Sequence, residues 1–154
     1  IEEGKLKGYK KVDINRLFKA NKYDYILVEG DGAKKKPIKA PRKTEPIVPE
    51  KTSILIGVVG MDSLGTKKDT KNVLGLEEFI KITGGKEGFI IDENDIIKLI
   101  ENKNGLFKVR KARIILVLNK VNRKNLIKAE KIKMVIESNC SDFLEKVFLV
   151  EEFK

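Results

Sequence analysis

The sequence predicts an α/β fold built on a mostly parallel sheet, and three observations carry that expectation. Continuous β-branched runs such as SILIGVVG (53–60) and ARIILVLNK (112–120) read as strands buried on both faces. Stretches of helical period separate these runs. Strands that alternate with helices need crossover connections, which lay the strands side by side in parallel.

Taken in order, DINRLFKANK (13–22) reads as a short amphipathic helix with Asp13 as its N-cap. DYILVEG (24–30) is an apolar run bounded by turn residues, hence a strand. The run at 53–60 is the second strand. DTKNVLGLEEFIKIT (69–83) has helical spacing through Leu76, Phe79, Ile80 and Ile82, with Gly75 as a start or kink. IDENDIIKLIEN (91–102) has an acidic first turn, favourable at a helix N-terminus, followed by Ile96, Ile97, Leu99 and Ile100. The run at 112–120 is the third strand. A helix is expected over 123–138, through Leu126, Ile127, Ala129, Ile132, Val135 and Ile136, and KVFLV (146–150) closes the sheet. The connection from Gly30 to Thr52 is too long for an ordinary loop, so it should have local structure or a function of its own.

The 154 residues fit a single domain, and 41% hydrophobic content suffices for a core. A net charge of +10 raises the question of nucleic acid. Only Arg16, Arg42, Arg110, Arg113 and Arg123 are arginines, however, and lysine is poorer at forked contacts to phosphates and bases. A solvated basic surface is the better reading, and nucleic acid is not an expected partner. With no histidine and one cysteine, Cys140, the chain can form neither an internal disulfide nor a His- or Cys-based zinc site. Any metal should be a hard cation on oxygen ligands. No apolar run is long enough to span a bilayer, and no signal peptide is visible, so a cytoplasmic setting is expected.

In parallel sheets, ligands bind beyond the carboxyl ends of the strands. There the sequence offers VEGDGAKKKPIKAPRKTEP (28–46). Glu29 and Asp31 are two residues apart, so an extended backbone would turn both carboxylates the same way. They are the candidate catalytic residues and the candidate ligands for Mg²⁺, with a polar turn as the alternative. Gly30 and Gly32 would let a phosphate approach closely. Lys36, Lys39, Arg42 and Lys43 are the candidate phosphate grips, in a segment stiffened by Pro37, Pro41 and Pro46. Glu45 is a salt-bridge partner or an additional ligand. VLNKVN (117–122) follows a strand as the base-reading Asn-Lys-x-Asp element of GTPases does, which makes Asn119 and Lys120 candidates for contact with a nucleobase. Asn122 there lacks the charged acceptor, and a strand-to-helix turn capped by Asn122 explains the tetrad equally well. The sequence holds no Gly-x-x-x-x-Gly-Lys-Ser/Thr loop; GGKEG (84–88) has neither the following hydroxyl residue nor a preceding strand.

The order LVEGDGAKKKPIKAPRKTEPIVP, IGVVGMDSLG, VLNKVN resembles the selenium-dependent hydroxylase accessory protein family of the YqeC type, over about residues 24–122. The matching positions are Glu29, Asp31, Gly32, Lys39, Pro41, Glu45, Pro46, Pro49, Asp62, Gly65, Asn119 and Lys120. The resemblance implies a three-layer, P-loop-NTPase-like fold in a protein that assists maturation of selenium-dependent molybdenum hydroxylases. It also implies partners in that machinery and a site for magnesium and nucleotide. Family members carry an N-terminal phosphate-binding loop, so residues 1–154 are expected to be the C-terminal part of a longer protein. NTP hydrolysis is expected only with such a loop. Thr44, the NVLGLEEF stretch (72–79) and Asn122 depart from the family pattern, against guanine specificity and any histidine-dependent step. Two other readings stand beside this one. One is a non-catalytic domain that recognises a partner or pterin-type cofactor through the basic loop; the other is lysine-rich binding of nucleic acid.

Overall fold

The computed structural model describes residues 8–152. Its centre is a parallel three-stranded sheet in the order β2-β4-β5, formed by Ile54–Gly60, Arg113–Val121 and Leu144–Glu151. Register is set by the apolar pattern: Gly57 and Val59 of β2 pair with Leu116 and Leu118 of β4, and Leu116 pairs with Val147 of β5. Apart from Gly57 these are core residues, and all of them face the helices. Slipping by one residue would turn this set to solvent, so the register is strongly specified.

Three helices form the layer over that face. They are α2 (Leu76–Thr83), α3 (Glu93–Glu101) and α4 (Leu126–Asn139). α4 packs on β4 and β5, α3 on α4, and α2 on α3. Phe79, Ile96, Leu99, Ile100, Ala129, Ile132 and Ile136 are the buried stripe, as the helical spacing required. α3 begins with a reciprocal cap: Asp92 accepts from the Asp95 N–H at 3.0 Å, and Asp95 Oδ2 accepts from the Asp92 N–H at 3.0 Å. The Lys68 ammonium donates to the other Asp95 oxygen at 2.6 Å, to Thr83 Oγ1 and to the Gly84 carbonyl, tying α2 to α3 within the core.

Two expectations fail here. Residues 24–30 join no sheet; the chain there is irregular, with Tyr25 88% and Leu27 93% exposed. The run has strand composition, but no described strand lies beside it to complete a ladder. The third layer is likewise missing among the described residues. Ile54, Ile56 and Val58 of β2 and Phe148 of β5 stay exposed on the second face of the sheet.

Boundaries also move. α1 spans Lys11–Lys19, and Asp13 sits inside its first turn, where its carboxylate accepts from the Lys10 N–H. The helix expected from residue 69 starts only at Leu76. Residues Val73–Leu74 form β3, and Gly75 caps α2 in the left-handed conformation (φ 78°). The long connection does have structure of its own, since Ile38–Lys39 form β1, which pairs in parallel with β3.

Candidate anion site at the basic loop

β1 positions the site by its two-residue period. Ile38 and Ala40 point into the core and are almost fully buried, so Lys39 between them points outward. There its ammonium lies between two carboxylates. It is hydrogen-bonded to Asp31 and lies 2.9 Å from Glu45 Oε2. Glu45 also accepts from the Arg42 N–H at 2.9 Å. Burial pushes the Glu45 carboxyl upward, but the Arg42 N–H, the Lys39 ammonium and the Arg42 charge outweigh it, and the net result is a carboxyl held below its ordinary range.

The groups enclose a cavity of about 530 Å³ with Glu29, Asp31, Lys34, Lys39, Arg42 and Glu45 in its wall. Gly30 and Gly32 also line it, and the firmer constraint is at Gly30, which faces a backbone carbonyl, whereas Gly32 faces the movable end of the Glu29 side chain. A Cβ on Gly32 would lie 2.9 Å from Glu29 Oε1, and one on Gly30 would lie 3.2 Å from the Ile47 carbonyl oxygen. The Glu29 carboxylate folds back over Gly32, so Glu29 and Asp31 do face one cavity, though no strand holds them there. Lys34 and Lys35 are both left-handed (φ 51° and 62°) in a turn closed by the Lys36 N–H to the Ala33 carbonyl. Positive φ at both central residues is ordinarily left to Asn and Gly, and here it projects two exposed ammonium groups.

The expected phosphate grips divide. Lys39 and Arg42 line the cavity with Glu45. Lys36 is used elsewhere: its ammonium donates to the carbonyls of Thr70 and Val73, fastening the loop to β3. Lys43 is exposed and lies outside the cavity wall. Lys34 is a wall residue that reasoning from prolines and acids passed over. The loop itself is fixed from behind, where the Lys108 ammonium donates to the carbonyls of Pro41 at 2.8 Å and Arg42 at 2.7 Å.

Magnesium can be tested against these donors. Asp31 and Glu45 are both engaged with Lys39, and no group of three or more acidic, histidine or cysteine residues among the described residues is arranged to hold a metal ion. A cage made only of protein ligands is therefore not built. Magnesium usually keeps several waters and is held by one or two carboxylates together with phosphate oxygens. Glu29 and Asp31 line the cavity where a bound phosphate would bring such an ion, but Asp31 would first have to leave Lys39.

Asn119 and Lys120 lie away from this cluster, at the carboxyl end of β4. Lys120 pairs with Asp62 at 2.6 Å, and Asp62 lies just beyond the end of β2. Asn122 does not point to a ligand. Its side chain accepts from the Lys124 N–H, and its own N–H donates to Asn125. A second, larger cavity of about 1000 Å³ runs from Glu29–Gly32 along the exposed face of β2 to Asn119 and Lys120. No helix among the described residues is long and apolar enough to cross a membrane.

Comparison with known proteins agrees with the motif order. The family model described as "YqeC protein" matches residues 1–77, half of the chain. The Escherichia coli (strain K12) protein named "Uncharacterized protein YqeC" is 34% identical over 106 residues, which are 69% of this chain and 41% of that relative. The chain thus spans about two-fifths of the length of the curated relative it matches. No solved structure matches it significantly. On the family match, which covers the whole of the basic loop and its acids, the chain belongs to the YqeC protein family.

Proposed function

We propose that this chain binds a phosphate-bearing anion at the basic loop and serves the maturation of selenium-dependent molybdenum hydroxylases as an accessory protein. The observation that supports the first half is Lys39, held by Asp31 and Glu45 while Lys34 and Arg42 line the same cavity. The inner carboxylates neutralise and fix one lysine, and the outer cations remain to meet an anion. Glu29 and Asp31 would share a magnesium ion brought in with the phosphates. The accessory role itself comes from the family resemblance. In this reading the chain works as part of a longer NTPase-like protein, whose other elements would cover the exposed face of β2.

Binding without hydrolysis is a second reading, in which the loop recognises a partner or an anionic cofactor such as a pterin phosphate. The ion pairing of Asp31 favours it, since a carboxylate already neutralised by lysine is a poor general base or sole metal ligand. Calorimetry with inorganic triphosphate, Mg-GTP and Mg-ATP tests both. Saturable binding weakened about tenfold or more in Arg42→Ala supports the anion site. Affinity and turnover unchanged in Asp31→Asn would remove the metal role, and binding with no turnover would select the second reading. The accessory role is read from hydroxylase activity in cells lacking the protein, and unaltered activity sinks it.

A further inference from the structure

β2 and residues 24–30 share one defect, a backbone without a partner. β2 is an edge strand of seven residues, ILIGVVG, which pairs without a break to β4 on one side only. It has no charge, no proline and no bulge, the devices that ordinarily blunt an edge. The opposite edge, β5, does have such devices. Glu145, Lys146 and Glu151 lie along it, and its pairing with β4 shifts register twice. One edge is thus built to stay open and the other to be covered.

DYILVEG (24–30) has the composition of a strand, yet none of its backbone groups is hydrogen-bonded to another backbone group among the described residues. This segment and β2 line one space, the larger cavity, together with Ile14 and Phe18 of α1 and with Phe107. A strand of about six residues rises about 3.3 Å per residue, takes about 4.8 Å of sheet width and about 10 Å of depth, and so fills roughly 950 Å³. The cavity measures about 1000 Å³.

We propose that this cavity is the slot of an inserted strand. An extended, apolar, β-branched segment from the remainder of a longer family protein lies between β2 and residues 24–30 and hydrogen-bonds to both. A small apolar ligand would meet the side chains but not two rows of N–H and C=O groups, whereas a strand meets both rows at once. The insertion supplies the neighbour that residues 24–30 lack and joins them to the sheet as a strand. Neither segment outside the described residues, IEEGKLK (1–7) or FK (153–154), contains such a run. The Escherichia coli relative has polypeptide to provide one, because the match covers only 41% of it. The proposal gives the cover over β2 a definite form. It rests on the reading above for the source of the strand and is independent of the anion site.

Hydrogen exchange and peptide binding test the slot, with a probe peptide of alternating valine and isoleucine flanked by glutamates. In the whole chain alone, amides of residues 24–30 and those of β2 that face away from β4 should exchange fast. Saturating peptide should slow both sets about tenfold or more. Successive N–H groups of an inserted strand point to opposite neighbours. N-methylation of its odd residues, or of its even residues, should therefore each weaken binding about tenfold or more. Weakening by one set alone would leave residues 24–30 out, and equal binding of all three peptides would show a groove for side chains only. Either result overturns the proposal, as does no binding. Ile56→Lys, at an exposed position, should weaken the parent peptide to the same degree and leave binding of inorganic triphosphate unchanged. Peptide binding that survives Ile56→Lys overturns the slot, whereas absence of triphosphate binding to the unaltered chain defeats the anion site alone. A match of 106 residues in a chain of 154 necessarily includes β2, so the whole Escherichia coli relative should protect the corresponding amides on both sides without peptide. Fast exchange there overturns the source. A dimer of the chain that protects β2 and resists the peptide makes a second copy the occupant and overturns it too.

Discussion

Lys39 carries two functions at the scale of one residue, because the same ammonium closes the loop and sets the charge of the cavity. Replacing it by Met would leave Asp31 and Glu45 facing each other without a counter-ion. The expected cost is about 1–3 kcal/mol in denaturant unfolding, the range for a charged hydrogen-bonding partner removed from a partly buried site. Glu45 adds a pH signature. Its carboxyl is held below the ordinary range, so the native state stays ionised where the unfolded chain begins to take up protons. Its contribution is fully present above the ordinary carboxylate pKa and is lost as pH falls through the lowered native value. The melting-temperature gap between wild type and Glu45→Gln should therefore narrow from about pH 6 to about pH 3. A gap independent of pH would mean that Glu45 acts by packing alone. Cys140 makes the opposite case: burial, then the nearby Glu101 and Asp142 carboxylates, push its thiol up to about 11 against the opposing effect of Arg110. Native protein at pH 8 should react with a thiol reagent far more slowly than unfolded protein does.

At the scale of elements, close approach decides which substitutions the fold tolerates. Gly57 of β2 lies under the Phe107 ring, and a Cβ there would sit 2.5 Å from two ring carbons. Gly57→Ala should cost about 1–3 kcal/mol through overpacking, seen as a lower denaturant midpoint at unchanged slope. Lys68 makes the converse case. It and Asp95 are both nearly fully buried, so Lys68→Met would strand a carboxylate in the core at a cost of about 3–5 kcal/mol. Neither contact could be read from sequence, because each joins residues far apart in the chain. The strands β2, β4 and β5 and the helices α3 and α4 were legible, since continuous apolar runs and helical spacing do not depend on distant partners. The strand expected at 24–30 failed for the complementary reason, as its composition is right but a ladder needs a neighbour. Lys36 and Lys39 show the same limit at the site. Both are lysines of one basic stretch, and only the pairing of β1 with β3 sends one to backbone carbonyls and the other between two acids.

The whole molecule is defined as much by the face it leaves open as by the core it builds. A parallel sheet is ordinarily covered on both sides. Here Ile56 and Val58 are 55% and 56% exposed, with the ring of Phe148 in the same apolar field, and they line the larger cavity together with Ile14 and Phe18 of α1. β2 is also an edge strand, so its apolar face adjoins an unpaired row of backbone groups. An apolar field of this kind marks a binding groove or a surface that other polypeptide covers. If Ile56 and Val58 contribute little to the core, the double change Ile56→Thr and Val58→Thr should shift unfolding free energy by only about 0.5 kcal/mol per site. Threonine retains β-branching, so the strand itself should persist. The same variant should bind much less of a hydrophobic dye and stay monomeric at higher concentration. A loss of several kcal/mol would show instead that these side chains are packed in the folded chain, and the open face would then have to be abandoned. Dye binding unchanged from wild type would place the exposed apolar surface elsewhere, with Tyr25 and Leu27 as the next residues to replace.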